Sequence, residues 1–122
     1  MESYRDLDVW KQGIRLSLAI YRFTSEFPRH EQFGLVSQLR RCAVSIPSNI
    51  AEGHARLSTR DYLRHISIAP GSLVELETQL LISQELRYGE QNLIQDLQVT
   101  ADKLGKQLKS LSKALQSRIN QK

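Results

Sequence analysis

Gln38-Leu-Arg-Arg-Cys-Ala-Val-Ser-Ile-Pro-Ser-Asn-Ile-Ala-Glu-Gly53 reads as a helix with one apolar face. With Leu35 just before it, Leu39, Cys42, Ile46 and Ile50 recur at spacings of four and three, which puts them on one stripe that must face a core. Arg40 and Arg41 fall off that stripe and project from its flank. Pro47 lacks a backbone donor and crowds the carbonyl of Ala43, so a local kink is expected. Gly53 suits the left-handed conformation that closes a helix. Glu52 precedes it, where the negative end of the helix dipole disfavours a carboxylate, so a basic partner for Glu52 is expected.

Working outward, Asp6 and Asp8 are each suited to cap a first helix over about 7–26, which Pro28 ends. Leu7, Trp10, Ile14, Ser17 and Tyr21 form one stripe on it and Val9, Leu16, Ile20, Phe23 and Phe27 a second. Two buried faces are implied, a surplus that points to a subunit interface or to an unusually deep position in the bundle. Gly13 costs about 1 kcal/mol of helix propensity relative to alanine and points to close approach of a neighbour. Residues 29–33 are a short polar connection, and Gly34 opens the second helix, over 34–53.

Ser58-Thr-Arg-Asp61 has capping-box spacing, with aspartate in place of the usual glutamate, and starts a third helix over 59–86. Ile66, Ala69, Leu73, Leu76 and Leu80 make its stripe; at roughly 1.5 Å per residue it is about 40 Å long. Pro70 interrupts this run, leaving two outcomes, a kink at Ala69-Pro70-Gly71 or a true break into two helices. Tyr88-Gly-Glu90 is the third turn. A fourth helix over 91–117 carries Leu93, Leu97, Ala101, Leu104, Leu108, Leu111 and Leu115 in four-three alternation, the pattern of shallow helix crossing. The expected architecture is all-α: one domain over 1–122, folded as an antiparallel up-down-up-down four-helix bundle.

The stretch from Gln38 to Gly53 closely resembles the signature of the bacterial four-helix-bundle family encoded by intervening sequences in 23S ribosomal RNA genes. Gly71-Ser-Leu-Val-Glu-Leu-Glu-Thr-Gln-Leu80 resembles the family's other signature, and Arg5-Asp-Leu-Asp-Val-Trp10 its usual opening. The resemblance runs from about Tyr4 to about Leu115, with the segments in the family's order. Pro70 departs from it, standing where family members usually carry a residue compatible with a straight helix. The resemblance implies a small homo-oligomer, often a homopentameric ring. A related branch, the accessory variability determinant of diversity-generating retroelements, binds nucleic acid and a reverse transcriptase. Most other members have no established activity.

The chain of 122 residues is large enough for a core and small enough for oligomer contacts to add to its stability. No apolar run approaches the roughly 20 residues that span a bilayer, and Met1-Glu-Ser-Tyr-Arg-Asp-Leu-Asp8 is too acidic and polar for a signal peptide. A cytoplasmic location is expected. Cys42 is the single cysteine and reads as a small buried hydrophobe. The formal charge of +4 is unevenly spread. Between Ser67 and Asp102 only Arg87 is basic against six acids; beyond Asp102 stand Lys103, Lys106, Lys109, Lys113, Arg118 and Lys122 with no acid. Such asymmetry steers an anionic partner or serves subunit pairing.

Catalysis finds little support. Di-iron bundles need Glu-x-x-His pairs, and neither Glu75 nor Glu77 has a histidine three residues on. His54 and His65 on either side of Asp61 match no metal spacing, and there is no phosphate loop, nucleophile elbow or zinc pattern. No catalytic residue, cofactor or metal is expected, and Asn49 reads as a polar residue that fixes helix register. What remains is distributed basic charge: Arg40, Arg41, Arg56, Arg60, Arg64, Lys103, Lys106, Lys109 and Lys113 as contacts for RNA or DNA phosphates. Two alternatives stand beside this. Lys106, Lys109 and Lys113 suit a solvated face near a helix C-terminus, and Arg40 and Arg41 suit ion pairs with Glu52, Glu75 or Glu77. Trp10, Tyr21, Phe23 and Phe27 fall on apolar stripes, so no exposed aromatic is expected to stack on bases, and recognition should carry little sequence preference. The expected function is weak nucleic-acid binding by a non-enzymatic homo-oligomer. The alternative is a scaffold for a nucleic-acid enzyme such as a reverse transcriptase.

Overall fold

Four rods of helix pack side by side in the computed structural model, which describes residues 3–121. Met1, Glu2 and Lys122, the last counted above in the basic C-terminal run, lie outside the described residues. The helices are α1 (Asp8–Thr24), α2 (Leu35–His54), α3 (Thr59–Ile66), α4 (Ile68–Glu85) and α5 (Gln91–Asn120), with 3-10 turns at Tyr4–Asp6 and Arg29–Glu31. Among the described residues there is no strand. α1 packs on α2 and α5, and α3 with α4 packs on α2 and α5, while α1 does not meet α3 or α4 and α2 does not meet α5.

The stripe in α2 behaves as its spacing predicts: Leu39, Cys42, Ile46 and Ile50 are buried, with Leu35 half-buried against them. Pro47 lies inside a helix that runs unbroken from Leu35 to His54. Its missing N–H leaves the Ala43 carbonyl without its helical donor, and the buried Ser17 hydroxyl of α1 lies 3.1 Å from that oxygen and 2.9 Å from the Gly13 carbonyl of its own helix, its one proton shared between them. Gly13 sits one turn away, where an added Cβ would lie 3.1 Å from Pro47 Cβ, so the proline ring fills the space the glycine leaves. Farther along the same seam Arg40 Nε donates to Thr24 Oγ1 at 2.9 Å. Between α2 and α4 the cross-pairs are Ser45 with Ser72 (2.6 Å), Cys42 with Glu75 (3.7 Å) and Gln38 with Gln79 (3.3 Å). Asn49 donates to the Ser45 carbonyl of its own helix at 2.8 Å, so it does not set register across a seam.

Several expectations need correction. Neither Asp6 nor Asp8 caps α1: Asp6 belongs to the 3-10 turn, Leu7 occupies the cap position, and Asp8 is the first helical residue, beside the positive end of the dipole. Only one stripe of the first helix is fully buried, that of Val9, Leu16, Ile20 and Phe23, continued by Phe27 just past the end of α1; of the other, Ser17 is buried and Tyr21 exposed. The third helix is interrupted at one residue, Ser67, rather than at Ala69-Pro70-Gly71; Ser67 keeps a helical backbone and donates to the Leu63 carbonyl at 2.9 Å, so the two pieces, α3 and α4, continue as one kinked rod. The displacement has a simple cause, since a proline disturbs the carbonyl four residues earlier, here that of Ile66, which ends α3. In α5, Ile94 is buried in place of Leu93, which is 38% exposed, and the helix continues to Asn120.

Gly53 is corrected as well. It lies within α2 rather than closing it, and its φ is not left-handed; the left-handed residues are Arg87 and Gly89, in the turn before α5. A Cβ at Gly53 would meet His65 Cβ at 2.8 Å and Tyr62 Cδ1 at 3.1 Å, so the glycine lets α3 lie directly on the end of α2. Gly53→Ala is expected to cost about 1–3 kcal/mol by overpacking, read as a lower denaturant midpoint. Gly53→Asn should cost more than Gly53→Ala. A left-handed residue would rank them the other way, because asparagine tolerates that conformation.

The buried residues of all five helices form one apolar cluster, and no helix of the described residues is long and apolar enough to cross a membrane.

Candidate nucleic-acid interface

α3 starts with the expected cap: Ser58 Oγ accepts from the Asp61 amide at 3.1 Å. That fixes the phase of a short helix whose exposed edge carries Arg60 and Arg64, one turn apart. The two arginines line a hollow of about 440 Å³ between α3 and α5, with Leu63, Ser112, Gln116 and Ile119. On α5, Lys106, Lys109 and Lys113 are all exposed, and at 3.6 residues per turn they fall within about 60° of one another around the axis. None of the three lysines lines the hollow itself; they stand on the exposed face of the helix that supplies its Ser112, Gln116 and Ile119. Lys103 is exposed about 60° farther round, toward α1, and stands apart from this group.

The charge along α5 changes sign at one place. Asp102 lies beside Glu77 of α4, whose carboxyl is pushed above its ordinary range by burial first and by the Asp102 charge and hydrogen bond second. From Lys103 onward the described part of the helix holds no acid. Some of the arginines are engaged. Arg56, just past α2, pairs with Glu52 at 3.0 Å, which supplies the basic partner expected there, and lies 3.4 Å from His65 Nε2. Arg64 pairs with Asp61. Both pairs are exposed, and exposed pairs contribute only about 0–1 kcal/mol, so a phosphate can compete for either guanidinium. Arg60 and the α5 lysines have no carboxylate within ion-pair distance among the described residues.

Arg40 and Arg41 are elsewhere. They sit at the α1–α2 seam, on the opposite side of the bundle from the α3–α5 seam. Neither pairs with Glu52, Glu75 or Glu77. Arg40 instead ties two helices together, donating to Thr24 Oγ1 and, at 3.4 Å, to the Tyr21 carbonyl, with its guanidinium 4.4 Å from the centre of the Tyr21 ring. Glu75 receives the Cys42 thiol, whose pKa is raised by burial and then by that carboxylate. Arg41 is exposed at the mouth of a hollow of about 450 Å³ that also includes Tyr21 and Phe33. Phe33 is 92% exposed and Tyr21 44%, which overturns the expectation that no aromatic is available for stacking. Phe33 belongs to no periodic stripe, so spacing could not place it. The available signal was its position in a short connection immediately before Gly34.

The histidines and Asp61 do not converge. His65 Nδ1 lies 3.0 Å from the Asp61 backbone oxygen, while His54 packs edge-on against Tyr62. Among the described residues no three His, Cys, Asp or Glu side chains are grouped so as to hold a metal ion.

A further surface lies on α4. Its apolar residues occur on every side of the helix: Leu73, Leu76 and Leu80 are buried, whereas Val74 is 63% exposed, Leu81 54% and Ile82 45%. No lysine or arginine lies on this helix. The apolar surplus expected on the first helix is thus largest here.

The fold is also that of a protein of unknown function from the S23 ribosomal protein family of Bacteroides thetaiotaomicron VPI-5482. Its crystal structure at 1.70 Å matches with a TM-score of 0.77 at 22% identity, over 86% of this chain and 98% of that one. At that identity the likeness speaks for the fold alone. A search of curated proteins finds no match. The family model of the 23S rRNA-intervening sequence proteins matches residues 5–110, most of the chain and all three segments that suggested the resemblance. The chain belongs to the 23S rRNA-intervening sequence protein family.

Proposed function

We propose that this protein is a non-enzymatic, cytoplasmic, self-associating bundle that binds RNA or DNA weakly and without sequence preference. Arg60, Arg64, Lys106, Lys109 and Lys113 make the phosphate contacts, with Arg56 released from Glu52 to join them. The protomer is a single antiparallel up-down-up-down domain, a reading supported by the cross-seam pairs. Along α1 and α2, Gly13 faces Pro47 and Thr24 faces Arg40; along α2 and α4, Gln38 faces Gln79 and Ser45 faces Ser72. The copies assemble through the exposed apolar face of α4, as a ring of five in keeping with the family resemblance. Copies in a ring repeat each weak phosphate contact, and linked sites bind far more tightly than one.

The observation that carries the nucleic-acid reading is the α3–α5 seam: two arginines one turn apart beside three clustered lysines on a helix with no acid past Asp102. Its test is the salt dependence of RNA affinity. Replacing Lys106, Lys109 and Lys113 by glutamine should weaken binding and flatten the plot of log affinity against log salt. Each lost phosphate contact removes about 0.7–0.9 from the slope. A slope unchanged by the triple substitution would mean that these lysines are only a solvated face.

A further inference from the structure

We propose that the hollow between α1 and α2 holds one unpaired nucleotide of a single strand, its base stacked on Phe33 and its phosphate on Arg41. This rests on the nucleic-acid reading above and extends it, because it names the strand state that a second site, on the other side of the bundle, would select.

Phe33 is nearly bare, yet its backbone is held. Gln32 donates to Arg29 and Gly34 to Glu31 across the 3-10 turn, at 3.1 and 3.0 Å, and the Glu31 carboxylate accepts from the Leu35 amide at 3.3 Å. The ring is therefore presented to solvent from a hydrogen-bonded turn. The same hollow is lined by a second planar group. The Arg40 guanidinium lies 4.4 Å from the centre of the Tyr21 ring and is fixed by Thr24, a cationic surface with no carboxylate in ion-pair distance among the described residues. Val36, Val44 and Arg41 line the same hollow, and Arg41, exposed, has no carboxylate partner among the described residues.

An aromatic face, a stacked guanidinium and a free arginine are what an unstacked base and its phosphate need. The volume of about 450 Å³ lies within the range of small-ligand pockets. Gln32 and Ser37 also line the hollow and offer an amide and a hydroxyl to base edges or a ribose hydroxyl. A duplex hides its base faces, so it brings only phosphates to either surface and has no base to stack on Phe33.

The test uses short oligouridylate and oligothymidylate, each carrying one 2-aminopurine whose fluorescence falls on stacking, and a duplex of the same length as control. Wild-type protein should quench the probe on binding. Phe33→Ala should abolish the quench and weaken single-strand binding roughly tenfold, while leaving duplex affinity and light-scattering mass unchanged; Phe33→Trp should keep the quench. Quenching in both arms assigns the site to unpaired nucleotides in general, and quenching with oligouridylate alone assigns it to RNA. Three results would overturn the proposal: a probe that stays bright in both arms, equal loss of duplex and single-strand binding in Phe33→Ala, or a fall in mass showing that Phe33 is covered by another copy. If wild-type protein binds neither strand nor duplex, the reading of the α3–α5 seam fails with it.

Discussion

Replacing Val74 and Leu81 together by glutamate is expected to release single protomers of 14.0 kDa from the assembly and to lower RNA avidity by on the order of a hundredfold. Both side chains are more than half exposed, so neither supports the core of its own protomer, and circular dichroism should change little. The effect falls on the face they share. A helix that is apolar on every side is normally buried on every side, but α4 has Val74, Leu81 and Ile82 in water. Exposed apolar patches of this kind mark interaction sites. A glutamate pair introduced there would have to lose its water at the contact, next to the native Glu75 and Glu85 of the same helix and with no lysine or arginine on α4 to pair with. RNA binding should fall with it, because the phosphate contacts stay intact in each protomer but are no longer linked. An unchanged mass would move the interface to another face.

The second large effect concerns the core. Leu104 is fully buried on the α5 stripe, so Leu104→Ala should cost about 2–5 kcal/mol in denaturant unfolding, whereas Leu93→Ala should cost well under 1 kcal/mol. The contrast matters because spacing alone ranks these two leucines as equivalent members of one heptad pattern. Ile94 is fully buried where the pattern would have used Leu93. Equal costs would mean that the N-terminal turn of α5 packs differently.

These two leucines show how far periodicity reaches. A three-four stripe identifies which side of a helix is apolar, and it did so for Leu39 to Ile50 and for Leu97 to Leu108 because those turns are flanked by neighbours on both sides. It says nothing about a helix with too many apolar residues, so the open face of α4 was not legible and the surplus was assigned to the first helix. Gly53 illustrates a different limit. A left-handed turn and a tight helix contact both require the absence of a Cβ, and the distinction depends on Tyr62 and His65, which only the folded chain brings across. Pro70 was legible as a breaker, but its effect is exerted one turn upstream, at Ile66 and Ser67.

For the candidate site, the α3–α5 seam was largely legible because charge clusters on one helix survive folding. Arg60 and Arg64 line one hollow with α5, and Lys106, Lys109 and Lys113 are all exposed on that same helix. Arg40 was not: it lies on the flank that faces α1, and its fate depends on Thr24 and Tyr21, which no spacing rule connects to it. Phe33 escaped notice for the opposite reason, since a lone aromatic in a connecting segment has no pattern to break.

In the proposed assembly several copies pool modest positive patches, and light scattering of the unmodified protein at micromolar concentration tests that most directly. The expected mass is a whole multiple of 14.0 kDa, five-fold for the ring, and unaltered by moderate salt because α4 contributes an apolar contact. A particle of 14.0 kDa at that concentration would contradict it.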